Sequence, residues 1–191
     1  MTAATEQQPA TADLAAALAG ARARDERAFV VLWRAFTPPL RRYLTVLAPG
    51  WADDLVSETW HDVIRDLGRF SGDEQGFRAW LFTVARHRAL DWHRREAVRP
   101  ADPVPVDHLA DRRAPDDTVA DALEALATER ALSLVRRLPP DQAEVVSLRV
   151  LAGLHVAQVA AITGRRPGTV RVLAHRGLHR LADLLGGSPP G

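Results

Sequence analysis

The sequence contains no cysteine, no lysine and no asparagine among its 191 residues. The absence of cysteine excludes disulfide bonds and thiolate metal sites, and it is typical of a protein that works in a reducing cytoplasm. No apolar run approaches the roughly 20 residues that a membrane-spanning helix needs. The first nine residues also lack the basic and apolar blocks of a secretion signal. We therefore expect a cytoplasmic protein that has no membrane partner.

Charge is segregated along the chain, although the formal net charge is only +1. Residues 1–76 and 100–132 carry net charges of −3 and −5, whereas residues 77–99 and 133–191 carry +4 and +5. All 25 basic residues are arginine, so the choice of arginine over lysine carries no meaning at any one position. Two basic blocks separated by an acidic one indicate two surfaces that face a polyanion.

Helical periodicity dominates the sequence, and no segment shows the alternation of a strand. Caps, prolines and apolar spacing predict helices at about 13–22, 25–36, 40–47, 53–67, 77–95, 118–137, 140–152, 155–163 and 167–185. The break between the second and third is placed at Thr37-Pro38-Pro39, because proline both ends a helix and suits the first turn of the next.

These elements predict an all-α fold with two small helical domains. Four prolines interrupt an acidic, apolar-poor stretch between the helical regions, which indicates a flexible linker. The predicted boundaries are a tail with a short helix at 1–21, a first domain at 22–97, the linker at 98–117, a second domain at 118–186 and a tail at 187–191.

The sharpest local pattern lies at residues 156–171. One helix is predicted to end at Gly164, since glycine readily takes the positive φ that leaves a helix. Pro167 suits the first turn of the next helix. Ala160 is small enough to let the two helices cross closely. This pattern is typical of a helix-turn-helix, whose second helix enters the major groove of DNA.

The second helix of this motif has an apolar stripe and a basic face. The stripe comprises Val170, Leu173, Ala174, Gly177, Leu178, Leu181 and Leu184; the basic face comprises Arg171, His175, Arg176, His179 and Arg180. Base edges and phosphates would be met by the basic face. Two alternatives are a helical hairpin with a solvated basic face and a metal site at His175, His179 and Asp183.

A second basic helix is predicted at 77–95. Its core stripe comprises Phe77, Leu81, Val84, Ala85, Ala89 and Trp92, and Arg86, His87, His93 and Arg94 lie on the opposite side. Phe70, Trp80 and Phe82 lie on or just before this helix. Aromatic and basic side chains together favour single-stranded DNA, because bases stack and phosphates pair. The alternative is that most of these aromatic residues belong to the core.

The predicted helix 53–67 carries an acidic face. Asp54, Glu58 and Asp62 lie on it with His61, so it is either solvated or meets a basic protein surface. Glu58 and His61 also have the spacing of half a helical di-iron site, but the second Glu-x-x-His is missing. We therefore expect no metal and no cofactor.

Taken together, these motifs resemble the extracytoplasmic-function (ECF) subgroup of bacterial sigma factors. The first part is similar through residues 54–60 (DLVSETW), 69–70 (RF), 77–86 (FRAWLFTVAR) and 89–95 (ALDWHRR). The second part is similar through residues 138–146 (LPPDQAEVV), 168–171 (GTVR) and 175–176 (HR). The resemblance covers about residues 26–96 and 118–185, which is most of the chain.

The resemblance implies a role for each surface. The helix 54–67 would bind the clamp coiled coil in the largest subunit of RNA polymerase core, through Asp54, Glu58, His61 and Asp62. The loop 71–76 and the helix 77–95 would read and open the −10 element and capture a flipped base, through Ser71, Asp73, Trp80, Arg86, His87 and Arg94. The helix-turn-helix would touch the polymerase flap and read the −35 element, through Arg166, Thr169, Arg171, Val172, His175 and Arg176.

The remaining implications concern the linker and the partners. The acidic linker would thread toward the RNA exit path, and an anti-sigma protein is a candidate regulator. No nucleophile–base pair, phosphate loop or metal cluster is recognisable, which predicts a protein that is not an enzyme and takes no small-molecule substrate. Two other hypotheses stay open at this point: a helix-turn-helix repressor or response regulator with an N-terminal sensory domain, and a helical metalloenzyme that uses Glu58 and His61.

Overall fold

The computed structural model describes residues 11–98 and 119–186, which contain eight α-helices and no strand. They are α1 (Thr11–Arg22), α2 (Glu26–Leu47), α3 (Ala52–Asp66), α4 (Glu74–Val98), α5 (Val119–Arg136), α6 (Pro140–Val146), α7 (Val156–Thr163) and α8 (Pro167–Gly186). The predicted all-α fold is confirmed. No described helix has the length and apolar character that crossing a bilayer requires. Apart from Val98, the predicted linker lies outside the described residues.

Helix α2 is continuous through Pro38 and Pro39, so the predicted break at these prolines is wrong. An internal proline costs about 3 kcal/mol because it removes a backbone donor and crowds the preceding turn. The buried stripe of α2 extends across both prolines, from Leu32 and Phe36 to Leu40, Tyr43 and Leu44. Burial of this stripe outweighs the cost of the prolines. Nearby, Trp60 Nε1 donates a hydrogen bond of 2.9 Å to the hydroxyl of Thr37.

Helix α1 packs on α2 and contributes to the core, although the sequence placed it before the first domain. Leu14 and Leu18 are buried there. Asp13 lies in the first turn of α1. Asp25 precedes α2 and caps it: its carboxylate accepts the backbone N–H groups of Arg27 and Ala28. The first domain therefore begins with α1.

Aromatic side chains hold α4 against α2. Phe36 contacts Phe77, and Tyr43 contacts Phe82. Both pairs have edge-to-face geometry, with ring centroids 5.2 and 5.4 Å apart. Helix α4 starts at Glu74, three residues before the predicted start, because Asp73 accepts the N–H of Gly76 at 2.8 Å and caps it. The predicted loop 71–76 is therefore shorter.

The second domain has the predicted helix-turn-helix. Gly164 ends α7 with φ 68°, and α8 begins three residues later at Pro167. Arg165 in the turn pairs with Asp141 of α6 at 2.6 Å, which ties the turn to the rest of the domain. The predicted helix 140–152 is divided: α6 ends at Val146, and a π-helical segment, Ser147–Leu151, follows it.

Helices α6 and α8 approach each other closely at Gly177. A Cβ on Gly177 would lie 2.6 Å from Cγ2 of Val146 and 3.4 Å from Cβ of Gln142. No side chain fits there without displacing α8. The sequence pattern predicted a small residue at a helix crossing at Ala160 but not at Gly177.

Gly177→Ala is expected to lower the free energy of unfolding by about 1–2 kcal/mol. Alanine favours a helix over glycine by about 1 kcal/mol, but overpacking a close crossing costs about 1–3 kcal/mol. Gly168→Ala in the same helix is the matched control, because its Cβ would meet no atom within 4 Å. Denaturant midpoints of both variants measure the difference. Equal stabilisation by both substitutions would contradict the close crossing.

The two domains pack against each other in this structure. One buried cluster contains Phe82 and Ala85 of α4 together with Val145, Leu148 and Leu154 of the second domain. Hydrogen bonds also cross between the domains, from Gln158 Nε2 to the backbone oxygen of Gln75 (3.0 Å) and from Arg78 Nη1 to that of Ala152 (3.3 Å). The sequence predicts two domains but not this contact.

Candidate nucleic-acid interface

Helix α8 exposes the residues that the sequence predicts to bind duplex DNA. Arg171, Val172, His175 and Arg176 are all exposed, as are Arg166 and Thr169 at the start of the motif. Val170 and Gly177, on the opposite side, are buried. Neither Arg171 nor Arg176 forms an ion pair with another described residue. One side of α8 is therefore anchored, and the other offers unpaired guanidinium groups.

His175 and His179 contact each other one turn apart on the exposed side of α8. Their Nε2 atoms lie 3.0 Å apart, a distance at which the N–H of one ring donates a hydrogen bond to the nitrogen of the other. Asp183 is exposed on the following turn. Within the part of the chain that the structure describes, no group of three metal-ligating side chains comes together. The histidines therefore extend the polar surface of α8 beside Arg176.

Three of the six residues predicted to bind the −10 element line one open cleft on the first domain. These are Ser71, Trp80 and His87. The cleft has a volume of about 630 Å³, and its lining also includes Phe70, Val84, Asp62, Arg65, Asp66, Arg69, Arg88 and Asp91. The rings of Trp80 and Phe70 are nearly parallel, with centroids 5.1 Å apart. The cleft thus combines a stacked aromatic wall with polar and charged groups.

The other three predicted −10 residues are placed differently. Asp73 caps α4, and Arg94 pairs with Asp91 at 2.7 Å. Arg86 points toward the second domain, where its Nε lies 2.7 Å from Oε1 of Glu144. Phe77 and Phe82 are fully buried, so the alternative that they are core residues is correct. The structure brings together only half of the predicted set.

The acidic face of α3 contains both exposed and buried residues. Asp54, Glu58 and His61 are exposed, but Asp62 is buried and accepts a hydrogen bond of 2.6 Å from Nε of Arg88. Burial by itself raises the pKa of Asp62, but hydrogen bonds and positive charge from Arg88 and Arg65 outweigh it and hold that pKa below its ordinary value. Asp62 therefore stays ionised and fixes Arg88 at the rim of the cleft.

The contact between the domains contains polar groups whose pairing the sequence does not predict. Glu144 and Arg86 are both largely covered, with 14% and 18% of their side chains exposed. Arg78 lies over the ring of Phe36, 4.8 Å from its centroid, and pairs with Glu74 at 3.2 Å. Residues 86 and 144 are 58 positions apart, and no local pattern in the sequence relates them.

Tyr43 lies beneath this contact, and the charged groups of the contact affect its pKa. It is the single tyrosine of the chain, it is fully buried, and its hydroxyl has no hydrogen-bond partner among the described residues. Burial, and then the negative charge of Glu144, raise the pKa of Tyr43 well above its ordinary value, whereas Arg86 opposes the shift.

The folded chain is expected to lose stability as the pH rises above about 10. Below the pKa of an unfolded tyrosine, about 10, both states keep the phenol proton; above it, only the unfolded state releases it. Phenolate absorbance should therefore appear together with the loss of helical circular dichroism. Ionisation of Tyr43 at its ordinary pKa in a chain that remains helical would show that the phenol is accessible.

Known protein families match the chain in the same two parts, one in each domain. A family model described as sigma-70 region 2 matches residues 32–99, and one described as sigma-70 region 4 matches residues 128–181. The chain is 35% identical over 171 residues to the ECF RNA polymerase sigma factor BldN of Streptomyces coelicolor, and it spans 63% of that protein's length. It is 35% identical over 179 residues to the ECF RNA polymerase sigma factor SigD of Mycobacterium tuberculosis, covering 89% of this chain and 82% of the relative.

A solved structure shares the arrangement of helices. The sigma factor RpoE of Bartonella quintana, crystallised with the anti-sigma factor NepR, superposes with a TM-score of 0.62 at 25% identity, covering 82% of this chain and 96% of that one. Both family models match in the order of the two domains, and relatives above 30% identity align over most of the chain. The protein belongs to the ECF subgroup of the sigma-70 family of RNA polymerase sigma factors, a family of transcription initiation factors.

Proposed function

We propose that this protein directs RNA polymerase core to specific promoters and assists strand opening at the −10 element. The observation that carries the proposal is the pairing of two surfaces on one chain. The exposed basic side of α8 suits duplex DNA, and the aromatic cleft of the first domain suits an unstacked base. A conventional repressor needs only the first of these surfaces.

Recognition of the −35 element is assigned to α8. Arg171 and Arg176 project from its exposed side, and guanidinium groups bind guanine edges or phosphates in the major groove. Val172 is exposed between them and offers an apolar contact to a thymine methyl group. Burial of Val170 and Gly177 sets the depth at which the helix can enter the groove.

Capture of a flipped −10 base is assigned to the cleft. Trp80, stacked on Phe70, provides an aromatic surface, and base–aromatic stacking contributes about 1–3 kcal/mol per base. Ser71 and His87 supply hydrogen-bonding groups at the same opening. Binding energy of this kind favours the separated strands over the duplex, so strand opening requires no chemical step.

Contact with the polymerase is assigned to the exposed part of the acidic face of α3, through Asp54, Glu58 and His61. The basic partner would be the clamp coiled coil of the largest subunit, and the helix-turn-helix domain would touch the flap. Asp62 is assigned an indirect role, because it holds Arg88 and Arg65 from a buried position. An anti-sigma protein is a further proposed partner. The proposed site of action is the cytoplasm, where the polymerase works, and no catalysis is assigned to the chain.

Run-off transcription from genomic fragments tests the proposal. Core polymerase mixed with the purified chain should initiate at discrete sites, and sequencing the DNA bound by this complex should yield one shared pair of elements. Core alone is the control. A conventional regulator would behave differently: the chain by itself would bind one DNA sequence with nanomolar affinity, and core polymerase would gain no start sites from it.

A further inference from the structure

Two histidines on the exposed side of α8 lie close enough to bind one metal ion together. His175 and His179 are four residues apart, and their Nε2 atoms are separated by 3.0 Å. Imidazole nitrogens bind divalent transition metals at about 2.1 Å, so two of them at right angles around one ion are about 3.0 Å apart. The separation of the two rings therefore matches a pair of neighbouring ligands on one ion.

The packing of α8 holds the backbone of this pair in place. Val170 and Gly177 are buried and fix the helix within its domain. Side chains four residues apart in a helix lie one turn apart on the same side, with Cβ atoms about 5–6 Å apart. Because the backbone is already ordered, binding an ion through both rings restricts only the two side chains, which favours chelation.

The surroundings leave the other coordination positions to water. The two histidines line an open groove of about 440 Å³ together with Arg176 and Arg180. Nη1 of Arg180 donates a hydrogen bond of 2.9 Å to Gln142, which holds that guanidinium toward α6. The positive charge of Arg176 limits the affinity for a cation. No third metal-ligating side chain joins the pair among the described residues, so the site suits an exchangeable ion and not a structural one.

We propose that His175 and His179 form a binding site for a divalent transition metal ion of the Ni²⁺ or Cu²⁺ class, and that this ion competes with promoter DNA. Imidazole suits these ions, and they favour right-angled coordination. Each neutral ring binds through Nε2, so the ring that donates the hydrogen bond between them carries its proton on Nδ1 instead.

The competition follows from the position of the pair. His175 is among the residues assigned to the −35 element, and an Nε2 atom that binds an ion cannot also bind a base edge. DNA and the ion then weaken each other's binding by the same factor. This part of the proposal rests on the proposed function, whereas the ion site itself does not.

Titration of the full-length chain with Ni²⁺ tests the site. Calorimetry should detect the ion on the wild-type chain, and His179→Gln should weaken its binding about 100-fold, because one imidazole alone lacks the gain from chelation. His61→Gln is the matched control: His61 is an exposed histidine on α3, and its loss should leave the affinity for Ni²⁺ unchanged. In NMR spectra, the paramagnetic ion should broaden signals around residues 175–179 and spare those of α3.

Promoter binding by the complex with core polymerase tests the competition. Saturating Ni²⁺ should lower the affinity for a duplex that carries the −35 element about tenfold, the loss expected for one base-edge contact. His179→Gln should remove this sensitivity when each chain is compared with its own affinity in the absence of Ni²⁺. Binding of Ni²⁺ to the DNA or to core would affect both chains equally.

The proposal is overturned if His179→Gln binds Ni²⁺ as tightly as the wild-type chain, or if the complex keeps its full affinity for the promoter in saturating Ni²⁺. Failure of the proposed function would be seen differently. The complex with core would then bind no promoter under any condition, while the free chain would still bind Ni²⁺ through α8.

Discussion

Run-off transcription by the reconstituted polymerase is expected to fall about 100-fold or more when Arg171 and Arg176 are both replaced by glutamate. Each arginine contact to a base edge discriminates by about 1–3 kcal/mol, and each new carboxylate repels the phosphate backbone. Both side chains are exposed and have no ion-pair partner among the described residues. Their loss should therefore act on DNA binding and leave the fold intact.

A variant with the same change in charge is the control. Arg130 and Arg137 are exposed in and just after α5, outside the helix-turn-helix. Reversing both should lower transcription only slightly, through the weaker overall attraction of the chain to DNA. Promoter fragments of defined sequence, assayed with limiting polymerase, measure the effect. Equal activities for the two double variants would remove α8 from promoter recognition.

The second large effect is expected at the aromatic cleft. Trp80→Ala should slow the formation of transcription-competent complexes about 10-fold to 100-fold on duplex promoters, because it removes the surface on which an unstacked base would lie. A stacking contribution of about 1–3 kcal/mol corresponds to roughly this range. On a template whose −10 region is already unpaired, part of the defect should disappear, since the strands need not be separated.

Trp33→Ala provides the comparison for this substitution. Trp33 is an exposed tryptophan on α2 that does not line the cleft. It should retain normal kinetics of opening once bound to polymerase. Unpaired and duplex templates that are equally impaired by Trp80→Ala would argue against a role in strand opening, and they would indicate that Trp80 supports polymerase binding or folding instead.

The cleft at Trp80 and the DNA-facing side of α8 are both accessible while the two domains pack against each other. Arg86, by contrast, is largely covered, because it pairs with Glu144 of α6.

Local chemistry made several features predictable from the sequence. The helix-turn-helix follows from a glycine that accepts positive φ at 164 and a proline that suits a first helical turn at 167, both short-range effects. The exposed residues of α8 follow from a helical period over 20 residues. The continuity of α2 was not predictable in this way, because the packing of Phe36 and Tyr43 against other helices outweighs the local effect of its prolines.

The sequence by itself determined the helical composition, the order of the two domains, their family and the side chains that α8 exposes. Each of these depends on neighbours within a few turns of one helix or on motifs read along the chain. Only the tertiary structure decided that Asp62 is buried beneath Arg88, that α8 needs a glycine at 177, and that Glu144 holds Arg86. These contacts join residues 26 to 58 positions apart, and the packing of whole helices brings them together.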